Sequence, residues 1–165
     1  MTQSLDYIVR TDSPLGRIEV TSDGTRLTSL AIARAGVLPH DDRPDRSTAL
    51  LKLACTQLDE YFAGSRRAFT LPVDYGGTPF QRSVWKRIAA LRWGERSSYR
   101  ELGTAIGRPE ACRAIGGAVA ANPLPIILGC HRVLSSSGRV TGYTGGEGIP
   151  TKLWLLQHEA ITLAA

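Results

Sequence analysis

Asn122-Pro123-Leu124-Pro125-Ile126-Ile127-Leu128-Gly129-Cys130-His131-Arg132-Val133 stops one element, starts another and delivers a thiol beside an imidazole. Proline disfavours helical geometry in the residue before it, so Asn122-Pro123 ends a helix arriving from the N-terminal side. Ile126-Ile127-Leu128 reads as a short buried strand running into Gly129-Cys130-His131. A thiol is a good nucleophile once ionised, and a neighbouring imidazole draws off its proton and holds the thiolate. A Cys-His dipeptide alone is weak evidence, because most buried cysteines are inert core residues. The surrounding sequence has to decide.

Upstream, 99–106 and 110–120 read as two short helices across Gly107-Arg108-Pro109, the pattern of a helix-turn-helix. The second is built from small residues: Ala111, Ala114, Gly116, Gly117, Ala118, Ala120 and Ala121. Glycine inside a helix costs about 1 kcal/mol relative to alanine. Two in succession imply a close approach, either by another helix or by an external ligand. A longer amphipathic helix precedes them, with Phe80, Val84, Trp85, Ile88 and Leu91 on one face and Trp93-Gly94 as its stop. The first half has a different texture. Short apolar runs at 7–9, 18–20 and 27–32 predict strands, separated by Ser13-Pro14-Leu15-Gly16 and by the hairpin signal Ser22-Asp23-Gly24. A polar loop over 37–46 leads to a helix capped by Ser47 and carrying Leu50, Leu51, Ala54, Leu58, Tyr61 and Phe62. The segment 71–78, with proline and a glycine pair, links the halves. An α/β domain over 1–77 and a mostly helical domain over 78–165 are expected.

The 165 residues are 42% hydrophobic and 21% charged, the composition of a folded globular protein. No apolar run reaches bilayer length, and 1–10 has no signal-peptide core. Three cysteines do not make a disulfide framework, so a reducing compartment, the cytoplasm, is expected. A formal charge of +5 suits a polyanionic partner. Cys55 and the indoles of Trp85 and Trp154 fit packing, His158 fits a structural role, His40 fits a solvated loop, and Cys112 fits an exposed position near a ligand.

The 122–133 stretch resembles the signature of the O6-alkylguanine-DNA alkyltransferases, the methylated-DNA–protein-cysteine methyltransferases: Asn-Pro, an apolar run, then Pro-Cys-His-Arg-Val. The match continues upstream through Phe80-Gln81, Val84-Trp85, Gly94-Glu95, Ser98-Tyr99, Ala111-Cys112-Arg113-Ala114 and Gly116. Downstream it takes in Gly138, Gly142-Tyr143, Gly145-Gly146, Lys152 and Leu155-Leu156-Gln157-His158-Glu159. The first half resembles the family only in length and element order. The resemblance implies a ribonuclease H-like α/β N-terminal domain and a C-terminal domain with a winged helix-turn-helix. It implies one irreversible transfer of an alkyl group from guanine O6 in DNA to Cys130, with O4-alkylthymine as a second candidate substrate.

Roles follow by position. Cys130 is the acceptor, His131 takes its proton through a water, and Glu159 orients His131, an arrangement similar to protease triads. Asn122 braces the turn. Tyr99 crowds the target phosphate and its hydroxyl donates to guanine N3. Arg113 enters the vacated stack, Ala111, Ala114 and Gly117 meet the minor groove, and Val140, Tyr143 and Thr144 line the base pocket. The resemblance implies no cofactor and no metal, double-stranded DNA bound through its minor groove, no membrane, and a monomer in solution. Rival readings are a non-catalytic lesion binder, which would lack the acceptor cysteine, and a thiol hydrolase that turns over without DNA. Two departures from the family pattern stand out: Gly129 replaces proline, and 147–151 is two residues longer before Lys152. Glycine at 129 is expected to hold the cysteine less rigidly. Proline there is expected to be tolerated if the native φ is negative.

Overall fold

The computed structural model describes residues 7–164 and divides into two compact units that meet between Tyr75 and Gly76, two residues before the expected boundary. Residues 1–6, part of the segment read as lacking a signal-peptide core, and Ala165 lie outside the described residues. In the first unit β1 (Tyr7–Thr11), β2 (Ile18–Ser22) and β3 (Leu27–Ile32) form an antiparallel sheet in sequence order. The pairing sets Val9 against Val20 and Val20 against Leu30. β2 is central and every one of its residues is buried. The Asp23-Gly24 turn forms as read: Asp23 Oδ1 accepts from the N–H groups of Thr25 and Arg26, and Gly24 takes φ +104.

Helix α1 (Ala49–Phe62) packs on this sheet with Leu51, Ala54, Leu58 and Tyr61 buried. Its cap is Thr48, not Ser47: the Thr48 hydroxyl accepts from Leu51 N–H at 3.2 Å, and Ser47 stands one residue too early to reach that donor. His40 departs from its solvated reading. Its Nδ1 lies 2.6 Å from Oε2 of Glu19, a carboxylate buried in the middle of β2, and its N–H donates to Oε1 at 3.1 Å. A buried carboxylate needs such partners, and Arg10 adds a third at 3.8 Å. Together these contacts clasp the loop that precedes α1 to the sheet.

The second unit is mostly helical. Helices α2 (Pro79–Ala89), α3 (Tyr99–Ala105) and α4 (Cys112–Ala120) pack on one another, and α5 (Ile149–His158) follows. Both α2 and α3 begin in a reciprocal capping box, Thr78 with Gln81 and Ser98 with Glu101. Two short parallel strands, β4 (Ser97–Ser98) and β5 (Val133–Leu134), close the helix-turn-helix against the segment carrying Cys130. Among the described residues no helix is long and apolar enough to cross a membrane.

Gly103 sets the angle between α3 and α4. Its carbonyl accepts from Arg108 N–H at 2.7 Å, and a Cβ there would lie 2.7 Å from the Arg108 carbonyl and 3.0 Å from Ile115. Gly116 and Gly117 differ, since a Cβ on either meets nothing within 4 Å. Their smallness answers no need inside the protein, and the internal-packing reading of these two glycines falls. Gly103→Val should therefore destabilise the fold by at least about 2 kcal/mol, while Gly117→Ala should leave it unchanged or stabilise it by up to about 1 kcal/mol. Denaturant midpoints at constant slope measure both.

Candidate active site

The segment between α4 and Cys130 is a turn, not the expected strand. Ile126 takes φ +74, Leu128 N–H donates to the Leu124 carbonyl at 2.8 Å, and Pro125 bridges Leu128. A β-branched residue at positive φ is strained, and the burial of Leu124, Ile126 and Leu128 holds it there. Asn122 organises the turn with one side chain. Its Oδ1 accepts from Leu124 N–H at 2.9 Å, and its Nδ2 donates to the Leu128 carbonyl at 3.0 Å and to Cys130 Sγ at 2.9 Å. The brace read from sequence is thus also a donor to the sulfur. Cys130, His131 and Arg132 form a single buried 3-10 turn.

Glu159 is the C-cap of α5, fixed by a Schellman motif in which Ala160 at φ +56 and Ile161 donate back to the Gln157 and Leu156 carbonyls. Its buried carboxylate meets His131 Nε2 at 2.6 Å and Arg132 Nε at 2.7 Å. Burial alone would raise its pKa, but the hydrogen bonds from His131 and Arg132 outweigh burial and bring it to about 2. An ionised carboxylate only accepts, so Nε2 must carry the proton and Nδ1 must present its lone pair. That Nδ1 is buried and makes no hydrogen bond to a described protein group. Burial lowers the His131 pKa against the pull of Glu159. Burial likewise pushes the Cys130 thiol up, with Asn122, Lys152 and Tyr143 pulling the other way. Both directions favour the neutral thiol and the neutral imidazole.

Lys152, part of the resemblance but given no role there, is a participant. Fully buried on α5, its ammonium donates to the carbonyls of Val133 at 2.6 Å and Gly142 at 3.2 Å. Burial brings its pKa from 10.5 to about 8. It joins the strand after the nucleophile to the loop before Tyr143 and sets a positive charge near the sulfur. The signal available was a lysine in an otherwise apolar helical stretch.

Beside these groups lies a cavity of about 550 Å³, lined by Tyr99, Arg113, Gly116, Tyr143, Thr144 and Lys152 among others. That volume suits a drug-sized or nucleobase-sized ligand. Cys112, exposed as read, also faces it. Thr144 Oγ1 donates to the Ala120 carbonyl at 3.0 Å and ties the cavity's lip to α4. At the other end of α4, Ala111 offers no side-chain cap, and Cys112, Arg113 and Ala114 are exposed. Its first N–H groups are open to an anion.

The residues match two family descriptions: 6-O-methylguanine DNA methyltransferase, ribonuclease-like domain, over 7–75, and 6-O-methylguanine DNA methyltransferase, DNA binding domain, over 79–161. The chain belongs to the 6-O-methylguanine DNA methyltransferase family. It is 35% identical over 162 residues to a constitutive methylated-DNA–protein-cysteine methyltransferase of Bacillus subtilis, covering 96% of this chain and 98% of that one. The crystal structure of a Mycobacterium tuberculosis O6-methylguanine methyltransferase superimposes with a TM-score of 0.83 at 37% identity, over 96% of each chain. Mycobacterium tuberculosis OGT in complex with DNA matches with a TM-score of 0.81 at 38% identity, over 92% of this chain and 91% of that one.

The family's site residues do not all converge here. Cys130, His131, Glu159 and Asn122 form the buried network, and Tyr99, Arg113, Tyr143 and Thr144 line the cavity. Val140 is not among the lining residues; it packs half-buried on Leu134, Leu156 and Ile161 because the 135–139 turn directs it to that core. Gly129 has φ −72, the negative value under which proline is expected to be tolerated, and a Cβ there would meet the Arg132 side chain at 2.9 Å from Nη1 and 3.0 Å from Cζ, so that side chain would have to give way slightly. Trp85 and His158 are structural, as read: Trp85 Nε1 donates to the Ala118 carbonyl at 2.8 Å, and His158 stacks on Trp154 at 4.8 Å.

Glu159→Gln keeps the shape and removes the charge, so His131 becomes a weaker proton acceptor. The pH-rate profile for alkylation of Cys130 by a small thiol reagent should move upward by about one pH unit or more. Superimposable profiles would remove Glu159 from the relay. With the folded carboxyl at about 2 against an ordinary 4.5, its stabilising effect is complete above the higher value and is lost as pH falls toward the lower. The variant should lack that acid-side loss in thermal unfolding.

Proposed function

We infer that this chain repairs alkylated DNA by moving an alkyl group from guanine O6 to Cys130, once per molecule. The observation that carries the reading is Cys130, held by Asn122, with the His131–Glu159 pair behind it and, sharing Lys152 and Tyr143 with its surroundings, the cavity beside α4. A base inside a duplex hides its O6 substituent, so the nucleotide must leave the stack to reach that cavity. The exposed N-terminus of α4, with Ala111, Ala114 and the open glycines, suits close approach to a minor groove. Arg113 stands where it would fill the gap left by the base, and inserted side chains offset part of an unstacking cost of a few kcal/mol. Tyr99 faces the same cavity and crowds the target phosphate.

The chemistry then balances. The Cys130 proton passes to His131 Nδ1 by way of a water, and Glu159 stabilises the imidazolium that results. The sulfur electron pair forms a bond to the alkyl carbon while the carbon–O6 bond breaks and its pair leaves with guanine. Tyr99 supplies the proton that guanine takes at N3 and regains one from water, while the imidazolium of His131 releases the thiol's proton to water. A thioether has no ready leaving path, so the protein is consumed. The reaction needs no cofactor, and the protein acts as a monomer on double-stranded DNA in the cytoplasm. O4-alkylthymine, which presents a similar alkyl–oxygen bond, is a further candidate substrate.

Intact mass after incubation with an O6-methylguanine duplex should rise by one methyl group per molecule, with the addition mapped to Cys130. Cys130→Ser should gain nothing while still binding DNA, because a hydroxyl ionises far less readily than a thiol. Addition at Cys55 or Cys112 would overturn the assignment, no addition with retained binding would favour a lesion binder, and turnover without DNA would favour a hydrolase.

Arg113→Ala should slow repair of the duplex at least about tenfold, the kinetic equivalent of the offset lost, while reaction with free O6-benzylguanine stays within about twofold. The free base needs no extrusion. Equal slowing of both reactions would argue against insertion into the stack.

A further inference from the structure

Beyond the end of α5 the chain turns back and crosses the turn that follows β5. Ala164 N–H donates to the Gly138 carbonyl at 3.1 Å, and Leu163 packs half-buried, with Val140, on Leu134, Leu156 and Ile161. Arg96, the residue before β4, pins this strap from the other side, its Nη1 donating to the Thr162 carbonyl at 2.6 Å. Strap and guanidinium press on the same point. A Cβ built on Gly138 would lie 3.1 Å from Arg96 Nη1 and 3.5 Å from the Ala164 Cβ. Gly138 is accordingly buried, although Ser136, Ser137 and Arg139 around it are exposed.

The turn's own bonds are local. Ser135 N–H donates to the Arg139 carbonyl at 3.0 Å, and Gly138 N–H donates to the Ser135 carbonyl at 2.9 Å. Towards α3 it faces a polar cavity of about 130 Å³, lined by Ser98, Glu101, Ser135 and Ser136 among others, rather than packed side chains. Three residues further on, Thr141, Gly142, Tyr143 and Thr144 line the cavity beside α4. Lys152 Nζ holds that end of the arm through the Gly142 carbonyl. The strap and Arg96 hold the other.

We propose that Arg96 is a positioning residue for alkyl transfer: with the strap over 161–164 it fixes the 135–139 turn, and thereby the arm that brings Thr141, Tyr143 and Thr144 to the cavity. This rests on reading that cavity as the place that holds the extruded base. Arg96 and Thr162 are exposed, so losing their bond frees the turn locally and leaves the fold in place. A displaced arm slows the reaction, because transfer requires the base to be held in line with the sulfur.

The test pairs amide hydrogen exchange with single-turnover repair, both in the full chain. Arg96→Met should speed exchange of the Ala164 and Gly138 amides by about tenfold, while amides of α2 and α4 keep their rates. At saturating protein, transfer from an O6-methylguanine duplex should slow at least about threefold. The guanidinium works here through one donor, so Arg96→Lys should restore both readings. Leu163→Ser releases the strap and keeps the charge of Arg96, and it should match Arg96→Met in both. Unmoved exchange at Ala164 and Gly138 in Arg96→Met overturns the proposal, as does equal speeding throughout the second unit, which is general loss of stability. Failure of lysine to restore exchange overturns it too. So does normal transfer by Leu163→Ser, since Arg96 would then act only as a cation that attracts DNA. The exchange rates need no DNA. Absence of transfer by the unsubstituted chain would strike the reading of Cys130 as acceptor, and exchange would still decide the strap.

Discussion

The second unit depends on one buried carboxylate. Glu159 gathers the turn that holds the nucleophile, the end of α5 and, through Arg132, the loop after α2. Breaking a buried ion pair by removing one partner typically costs about 3–5 kcal/mol, because an uncompensated charge is left behind. The Schellman motif at Ala160 keeps the carboxylate in place even though alanine pays a steric cost at φ +56 that glycine would avoid. Ile161 then buries against Leu134 and Leu156, tying the helix end to β5 and hence to the residue after the nucleophile's turn. Charge, capping and packing converge on the same few residues.

Burial of the same turn pushes the Cys130 thiol up and so favours its neutral form. A standing thiolate would be reactive toward every electrophile that found it. A thiol buried beside a neutral imidazole ionises only as its proton is taken. Of the groups that favour the ionised sulfur, Asn122 Nδ2 and the Lys152 ammonium are held in place before the event by contacts of their own. Stabilisation of developing charge by prearranged donors needs no reorganisation when the charge appears. The strained backbone at Ile126 belongs to the same economy, since it brings Leu128 and Cys130 together under a single asparagine.

Much of this was legible in the sequence. Proline, glycine and hydrophobic spacing located the strands, helices and linker, and the helix-turn-helix lay where its small residues and Gly107 placed it. Cys130 and the residues that the structure gathers around it, Asn122, His131 and Glu159, came from the 122–133 stretch and from the tail ending at Glu159. What escaped has physical reasons. The run Ile126-Ile127-Leu128 has strand composition, but burial and Asn122 impose a turn, a tertiary decision that local propensity cannot register. Thr48 took the cap from Ser47 by one residue, a distinction that depends on where the first helical hydrogen bond closes. The Thr78–Gln81 and Ser98–Glu101 boxes were present in the sequence and would have marked both helix starts. Lys152, Arg132 and the fit of Gly129 against it involve contacts between residues whose neighbours are set only by the fold.

The placement of the three tryptophans makes the second unit its own optical probe. Trp85 is buried and its indole N–H is bonded to the Ala118 carbonyl, inside the helix that presents Arg113. Trp93 and Trp154 flank the His158 ring, with centroids at 5.1 and 4.8 Å, one residue before Glu159. One chromophore thus sits against the helix that carries Arg113, and two sit at the end of α5. Intrinsic fluorescence, resolved by single tryptophan-to-phenylalanine replacements, would follow the surroundings of α4 and of the end of α5 as separate signals without any attached label.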